Sequence, residues 1–177
     1  MVQGGAGAVG LLAVQLAKWG GARVIATARG SGTTAAEAAG ADAVLDYTRE
    51  ELAAAGLAQN KGAMVDRIVE VEYGLNAAID TEVIAPNGTI AAFGSAKEMM
   101  PTLAFGPMLF KAVTIDILLI YLLPTPQRTH AISLLHAALA QNALTCPIAE
   151  VYPLKDCAAA HVAVETGNRT GAILVDT

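Results

Sequence analysis

The sequence contains little charge for its length. Charged residues make up 15% of the 177 residues, whereas 54% are hydrophobic. A disordered chain needs the opposite balance, so intrinsic disorder is excluded. The 16 acidic and 11 basic side chains give a net charge of −5. An acidic chain of this kind is not expected to carry a broad basic surface, and nucleic acid is therefore not an expected partner.

Cysteines and long apolar runs are also scarce. Cys146 and Cys157 are the two cysteines, too few for a disulfide framework or a Cys-rich zinc site, and a reduced cytoplasmic setting is expected. The longest apolar run, 113–123, is interrupted by Asp116 and falls short of the ~20 residues of a membrane-spanning helix. The first residues lack a charged leader with an apolar core. We expect neither a membrane segment nor a signal peptide.

Short β-branched runs alternate with Ala- and Leu-rich stretches, which is typical of a βαβ array. The predicted strands are 1–3, 23–28, 43–46, 66–71, 89–93, 113–119, 148–152 and 173–175. The predicted helices are 8–19, 34–39, 49–58, 75–85, 125–142 and 156–165. This order predicts an α/β fold with a doubly wound parallel sheet, the Rossmann fold, followed by a short C-terminal segment.

A glycine-rich turn joins the first predicted strand to the first predicted helix. Gly5, Gly7 and Gly10 match G-x-G-x-x-G, with Ala8 and Val9 between the last two glycines. In this context the first glycine makes the tight turn, the second admits a pyrophosphate, and the third lets helix and strand pack. The amides at the helix start favour an anion. We therefore predict dinucleotide binding. The alternative is a glycine-rich turn without a ligand.

The end of the second predicted strand indicates which dinucleotide is bound. NAD sites usually place an acidic residue there for the ribose hydroxyls, whereas this chain has Ala28, Arg29, Gly30 and Ser31. A guanidinium can pair with a 2′-phosphate, so the sequence favours NADP(H), with Ser31 as an additional donor. The alternative for Arg29 is an ordinary solvated arginine.

Two other nucleotide-dependent classes are disfavoured. Short-chain dehydrogenases need Tyr-x-x-x-Lys, and none of the four tyrosines here has lysine four positions later. Methyltransferases usually carry the acidic residue that is missing after the second strand. His130 and His136 are not spaced as a ligand pair, so no metal site is expected. Glu70 and Glu72 are interpreted as solvent-facing residues at a strand end rather than as an acid/base pair.

The combined motifs resemble a known family. The segment VQGGAGAVG at 2–10, followed by AVQLAK at 13–18, is similar to the cofactor domain of medium-chain dehydrogenases/reductases. Its Gly-Gly-Ala-Gly form is more similar to the zinc-independent, zeta-crystallin-like quinone oxidoreductases than to zinc alcohol dehydrogenases. The similarity continues at 40–42, 46–47, 66–71, 86–90, 93–95, 152–154, 160–161 and 171–175, and so covers nearly the whole chain.

The resemblance implies transfer of hydride from NADPH to a quinone or an α,β-unsaturated carbonyl. It places the Ala8 and Val9 amides near the pyrophosphate, Tyr47 near the adenosine and Val71 beside a ribose. It also places Phe93, Gly94 and Ser95 near the nicotinamide. The structural alternatives are a half-buried tyrosine at the end of the sheet and a turn that ends a strand. Arg169 lies near a position where some relatives supply a phosphate-binding arginine.

The chain departs from the family in one respect. Relatives carry a catalytic domain before the glycine-rich turn, whereas this chain begins in the first strand. The expected division is 1–143 for the NADP(H)-binding domain and 144–177 for a return segment that packs on the absent domain. Catalytic residues are left unassigned. Two alternatives stay open: a nucleotide-binding module without turnover, and a fragment of a zinc alcohol dehydrogenase.

The apolar run 113–123 has two interpretations. An edge strand offers unpaired backbone groups to a second copy of the chain, which favours a homodimer. Alternatively, the run is a sixth strand buried under the chain's own helices.

Overall fold

The structure, a computed structural model, describes residues 1–49, 51–167 and 169–177. The strands are β1 (Ile25–Ala28), β2 (Ala43–Asp46), β3 (Val65–Glu70), β4 (Ile84–Ala92), β5 (Thr114–Ile117), β6 (Ile148–Pro153) and β7 (Ala172–Asp176). The α-helices are α1 (Ala8–Trp19), α2 (Gly32–Ala38), α3 (Leu52–Gln59), α4 (Tyr73–Val83), α5 (Phe105–Phe110), α6 (Thr125–Ala140) and α7 (Cys157–Thr166). Two short 3₁₀ turns cover Ile120–Leu122 and Leu154–Asp156.

The main sheet is parallel and is organised around the first residues of the chain. β1 pairs with β2, and β4 lies between β3 and β5. Val2 joins the two groups through parallel bridges to Ala26 and Val69. Counting this first segment as strand one, the order is 3-2-1-4-5-6, the doubly wound Rossmann order. The predicted fold class is confirmed.

Apolar side chains are buried on both faces of the sheet in β1 and β2, because successive side chains of a strand point to opposite sides. Ile25 and Leu45 belong to one core cluster, together with apolar residues of α3 and α4. Val24 and Ala26 belong to the other cluster, with Val14 of α1 and Ala36 of α2. Helices therefore cover the sheet from both sides, as a doubly wound fold requires.

Two local elements differ from the sequence prediction. The turn predicted at 86–88 lies inside β4, where Asn87 takes a positive φ of 59° and donates its amide to the Lys111 carbonyl at 2.7 Å. Asparagine tolerates this backbone conformation, so the turn residues produce an irregularity in the strand rather than a break. Helix α5 was not predicted, because its short segment contains Gly106 and Pro107, which usually mark loops.

The last part of the chain forms a separate parallel pair, β6 with β7, connected by α7. Gln15 of α1 ties this part to the main sheet: its Nε2 donates to the Thr145 carbonyl at 2.9 Å, and the Thr145 amide donates to its Oε1 at 2.7 Å. Trp19 Nε1 also donates to Gln141 Oε1 at 2.9 Å. The domain boundary at 143/144 stays a prediction.

The run 113–123 forms the edge strand β5 and the following 3₁₀ turn. Ile117 is 79% exposed and Tyr121 is 83% exposed. The alternative of a strand buried under the chain's own helices is therefore wrong for this run. Within the described residues, no helix has both the length and the apolar character to cross a membrane.

Candidate functional site

A cleft of about 710 Å³ opens at the carboxyl ends of β1, β2 and β3, beside the start of α1. Its lining residues are 4, 6–10, 28–32, 46–49, 71, 167, 169 and 170. The strand order reverses direction at the first segment, so the cleft lies at the topological switch point where open α/β sheets bind ligands. Most of the residues predicted for the cofactor, although far apart in sequence, meet here.

The glycine-rich turn is packed tightly against its neighbours. Gly4 has a positive φ of 65°, and its carbonyl accepts the Gly7 amide at 3.0 Å. A Cβ on Gly10 would overlap the Gly4 carbonyl, and a Cβ on Gly5 would lie 2.7 Å from Ala26 Cβ. A Cβ on Gly7 would come no closer than 3.4 Å to the Gly4 oxygen. Gly5 and Gly10 therefore serve packing, whereas Gly7 faces the open cleft.

The start of α1 presents backbone donors to this cleft. Gly7 is the N-cap and provides no side-chain cap, and the first helical residues, Ala8 and Val9, are exposed. The first amides of a helix have no acceptor within it and carry a partial positive charge. Because these residues also line the cavity, the site fits a diphosphate.

Three arginines from different segments line the same cavity: Arg29 after β1, Arg49 after β2, and Arg169 before β7. Arg49 Nε lies 3.5 Å from Asp46 Oδ2. Arg169 Nη1 donates to the Val164 carbonyl at 3.3 Å, while its Nε is buried without a hydrogen-bond partner among the described residues. This unsatisfied donor and the three positive charges fit a further anionic group in the cleft. Ala28 and Ser31 also line it.

Asp46 is the carboxylate of this cavity, and it ends β2 rather than β1. Thr48 donates to Asp46 Oδ1 through its hydroxyl at 2.6 Å and its amide at 2.9 Å. These hydrogen bonds, with a smaller effect from Arg49, lower the pKa of Asp46 below its ordinary value. Asp46 is therefore anionic at neutral pH and is held within its own turn.

Tyr47 and Val71 both line the cleft, as predicted for cofactor contacts. Tyr47 is 43% exposed, and its amide donates to the Ala28 carbonyl at 3.2 Å. Val71 is packed between two glycines: a Cβ on Gly4 would lie 2.9 Å from its Cγ1, and a Cβ on Gly94 would lie 2.5 Å from its carbonyl oxygen. The end of β3 therefore forms the wall of the cleft that adjoins the glycine-rich turn.

Phe93, Gly94 and Ser95 follow β4 and do not belong to the cavity lining. Ser95 forms an antiparallel bridge with Glu72. Its hydroxyl accepts the Gly74 amide at 2.8 Å and donates to the Glu98 carbonyl. The Ser95 side chain thus ties a loop to the start of α4. The predicted role of these three residues near a nicotinamide stays a prediction.

A buried polar cluster behind the cleft was not predicted. It consists of Gln3, Thr27, Glu70 and Asp80, none more than 2% exposed. The interpretation of Glu70 as solvent-facing is wrong, because its side chain turns under α4 rather than out of the sheet end. Asp80 shares the apolar face of α4 with buried Ala77 and Val83. That helical spacing is a signal that could have indicated its burial.

The strand order and the cleft at the switch point define a protein of the Rossmann class. The profile of the zinc-binding dehydrogenase family matches residues 8–137. The chain belongs to this family and corresponds to the cofactor-binding part of a medium-chain dehydrogenase/reductase. In the described ranges, no group of three or more His, Cys, Asp or Glu side chains is placed to hold a metal ion. The described residues therefore offer no zinc site of their own.

Solved structures resemble the chain over nearly its whole length. An NAD-dependent alcohol dehydrogenase is 26% identical with a TM-score of 0.86, and the match covers 99% of this chain and 50% of that one. A mycobacterial protein solved with NADPH is 25% identical with a TM-score of 0.87, covering 99% and 56%. A quinone oxidoreductase from Pseudomonas syringae pv. tomato DC3000 is 27% identical with a TM-score of 0.81, covering 99% and 55%.

The chain thus spans about half the length of these solved relatives. No curated protein gives a significant match to the sequence.

Proposed function

We propose that the chain is the NADP(H)-binding part of an oxidoreductase that transfers hydride from NADPH to a quinone or an α,β-unsaturated carbonyl. The observation that carries this proposal is the cleft at the switch point, where helix amides and three arginines face one cavity. The complex of the mycobacterial relative with NADPH supports the choice of cofactor.

Different residues of the chain bind different groups of the cofactor. The Ala8 and Val9 amides bind the pyrophosphate. Gly7 has no side chain, so the pyrophosphate can approach the backbone closely. Arg29 pairs with the 2′-phosphate, since β1 itself ends without an acidic residue and the neighbouring Asp46 carboxylate is held by Thr48. Arg169 supplies a second guanidinium, with its Nε available for a new acceptor. Ser31, beside Arg29, adds a hydroxyl donor.

The bound nicotinamide supplies the hydride, and the protein supplies orientation. Tyr47 borders the adenosine, Val71 borders the ribose at the end of β3, and Phe93–Ser95 would lie toward the nicotinamide end. No side chain of this chain is assigned as a catalytic acid or base. The acceptor pocket is left unassigned, since the chain spans about half the length of these relatives.

The quinone assignment is supported by the P. syringae relative. A zinc alcohol dehydrogenase is the alternative, and the first relative above and the family description favour it. Metal content of the longer protein separates the two, with ethanol and a quinone compared as substrates. Zinc together with ethanol oxidation would replace the quinone proposal.

A nucleotide-binding module without turnover is the second candidate, favoured by the partial coverage of the solved relatives. Titration of the chain with NADPH, followed by nicotinamide fluorescence, tests binding. Addition of a quinone then tests turnover. Binding without oxidation favours the module, whereas absence of binding contradicts both candidates.

Arg29 provides the test of cofactor selectivity. Loss of a charge-assisted contact costs about 1.5–3 kcal/mol, so Arg29→Ala is expected to weaken NADPH binding roughly tenfold to hundredfold. NADH binding is expected to change little, because NADH lacks the 2′-phosphate. Arg67→Ala, which removes an exposed arginine from β3, is the control for net charge. Equal losses for both cofactors would contradict the assigned role.

We also propose that a second copy of the chain covers the edge of the main sheet. β5 is the edge strand, and the residues after it present exposed apolar side chains. An edge of this kind is a template for pairing between copies. Light scattering at two protein concentrations tests whether a homodimer forms. A cytoplasmic location stays a prediction.

A further inference from the structure

A chain of buried hydrogen bonds connects the glycine-rich turn to α4. The Gly4 amide donates to Thr27 Oγ1 at 3.0 Å, and this hydroxyl donates to Gln3 Oε1 at 2.8 Å. Gln3 Nε2 then donates to Asp80 Oδ1 at 3.0 Å. Since all three side chains are buried, water does not replace these bonds at low cost. The position of Gly4 therefore depends on Asp80.

The adjoining wall of the cleft, at the end of β3, is held by Glu70. Its carboxylate accepts the Glu72 amide at 2.5 Å and Asn76 Nδ2 at 3.1 Å. These bonds fold the backbone after β3 so that Val71 reaches the cleft and packs against Gly4. Glu70 is 0% exposed. One buried carboxyl group thus supports each wall.

The two carboxyl groups interact within the buried cluster, and a proton on Asp80 would let its side chain donate to the Glu70 carboxylate. Asp80 Oδ2 has no hydrogen-bond partner among the described residues, and Asp80 is 0% exposed. Two adjacent buried carboxylates cannot both be charged without a large desolvation and repulsion cost. Glu70 has the amide donors of an anion, so the proton belongs to Asp80.

Burial, followed by the charge of Glu70, raises the pKa of Asp80 to about 8. The other titratable groups that face Asp80 are the phenol of Tyr73 and the amino group of Met1. Burial raises the pKa of Tyr73 above its ordinary value of 10.0. Burial lowers the pKa of the Met1 amino group to about 6, so this group is already neutral in alkaline solution. The Asp80 proton is therefore the one lost as the solution becomes moderately alkaline.

We propose that Asp80 is a positioning residue whose carboxylic proton joins the two walls of the cleft and keeps the spacing that NADPH requires. This inference rests on the proposed function. Loss of the proton replaces a hydrogen bond to Glu70 with repulsion between two buried charges. The Gln3 and Thr27 contacts then no longer hold the glycine-rich turn in register with Val71.

The test compares the pH dependence of NADPH affinity in the wild type and in Asp80→Asn. An asparagine amide donates to Glu70 and accepts from Gln3, as the protonated acid does, and it does not titrate. The cofactor phosphate, with a pKa of about 6, is fully charged throughout the range from about pH 7 to pH 9.5. We expect wild-type affinity to fall roughly tenfold over this range, because one broken buried contact costs about 1–3 kcal/mol.

The variants separate positioning from general stability. Asp80→Asn is expected to keep wild-type affinity at neutral pH and to show a flat profile, whereas Asp80→Ala binds weakly throughout. Asp66→Asn, the same charge change at an exposed site on β3, is expected to keep the wild-type profile. If Asp80→Asn does not fold, Glu70→Gln removes the same repulsion and is expected to be flat. The proposal is overturned if the NADPH affinity of folded Asp80→Asn or Glu70→Gln still falls with rising pH. It is also overturned if Asp80→Ala binds NADPH as tightly as the wild type.

A readout without nucleotide separates this proposal from the proposed function. In the free wild-type chain, the Gly4 and Gly5 amide resonances are expected to shift with a midpoint of about pH 8, and in Asp80→Asn they are expected not to shift. These shifts without NADPH binding would contradict the proposed function and retain the coupling. NADPH binding without these shifts would overturn the coupling and retain the proposed function.

Discussion

The parts of the chain before and after Ala92 differ in how their apolar side chains are covered. Up to Ala92, β1–β4 and α1–α4 supply nearly all of both core clusters. Beyond it, the buried hydrophobic residues among those described are Met108, Ala138, Leu144 and Ala160. Phe110 and Tyr121 are 91% and 83% exposed.

The first part therefore covers its own apolar side chains, whereas the second part leaves many of them exposed. A large exposed apolar patch in a folded protein usually marks an interaction surface. The first part carries the glycine-rich turn and packs Gly5 and Gly10 closely against their neighbours. The second part presents apolar residues to solvent, in keeping with a chain that spans about half of its solved relatives.

Gly10→Ala is expected to have the largest effect, because Gly10 lies in the closely packed part of the chain before Ala92. The new Cβ overlaps the Gly4 carbonyl, and overpacking of this kind costs about 1–3 kcal/mol. Thermal unfolding should show a melting temperature lower by several degrees, with NADPH binding lost. An unchanged melting temperature would contradict the close contact of turn and helix.

Gly7→Ala is the matched variant. Gly7 has φ −70° and ψ 166°, which alanine adopts freely, and its Cβ would enter the cleft. We expect the free energy of unfolding to change by less than about 0.5 kcal/mol, while NADPH binding weakens. The pair thus separates the glycine that serves packing from the glycine that serves the ligand.

Tyr121→Asp tests the exposed second part. A charge at this site would be buried if a second copy covers the edge beyond β5, and an unpaired buried charge is costly. The variant is expected to be monomeric by light scattering, with little change in the melting temperature of the monomer. Leu75→Asp, at a 54% exposed site of the first part, should leave association unchanged. A monomeric wild type would contradict the homodimer.

Asp42→Asn is expected to have the smallest effect. Asp42 accepts the Val24 amide at 2.6 Å and pairs with Lys18 at 2.9 Å, and these contacts lower its pKa below 3.8. The ionised form is therefore favoured by folding, so its stabilisation is present above about pH 4 and is lost as the pH falls through the lowered pKa. Urea unfolding at neutral pH should show a loss of at most about 1 kcal/mol, and the difference should vanish in acid.

The parallel sheet and most of its elements could be predicted because they depend on local periodicity and on glycine spacing. Most of the cleft could also be predicted, because the carboxyl ends of parallel strands meet at one edge of the sheet. Gly7, Arg29, Tyr47 and Val71 all line it. Helix α5 could not be predicted, because a short segment with Gly106 and Pro107 lacks the sequence pattern of a helix.

Sequence alone determined that this chain forms a doubly wound sheet with an anion-binding turn, because strand and helix periodicity and glycine conformation act over a few residues. Tertiary structure decided that Asp80 meets Gln3, 77 positions earlier, and that it is buried in one polar cluster with Glu70. It also decided that Arg169 reaches the cleft of the first helix. Such contacts depend on how distant elements pack, and burial then sets the charge of the groups they enclose.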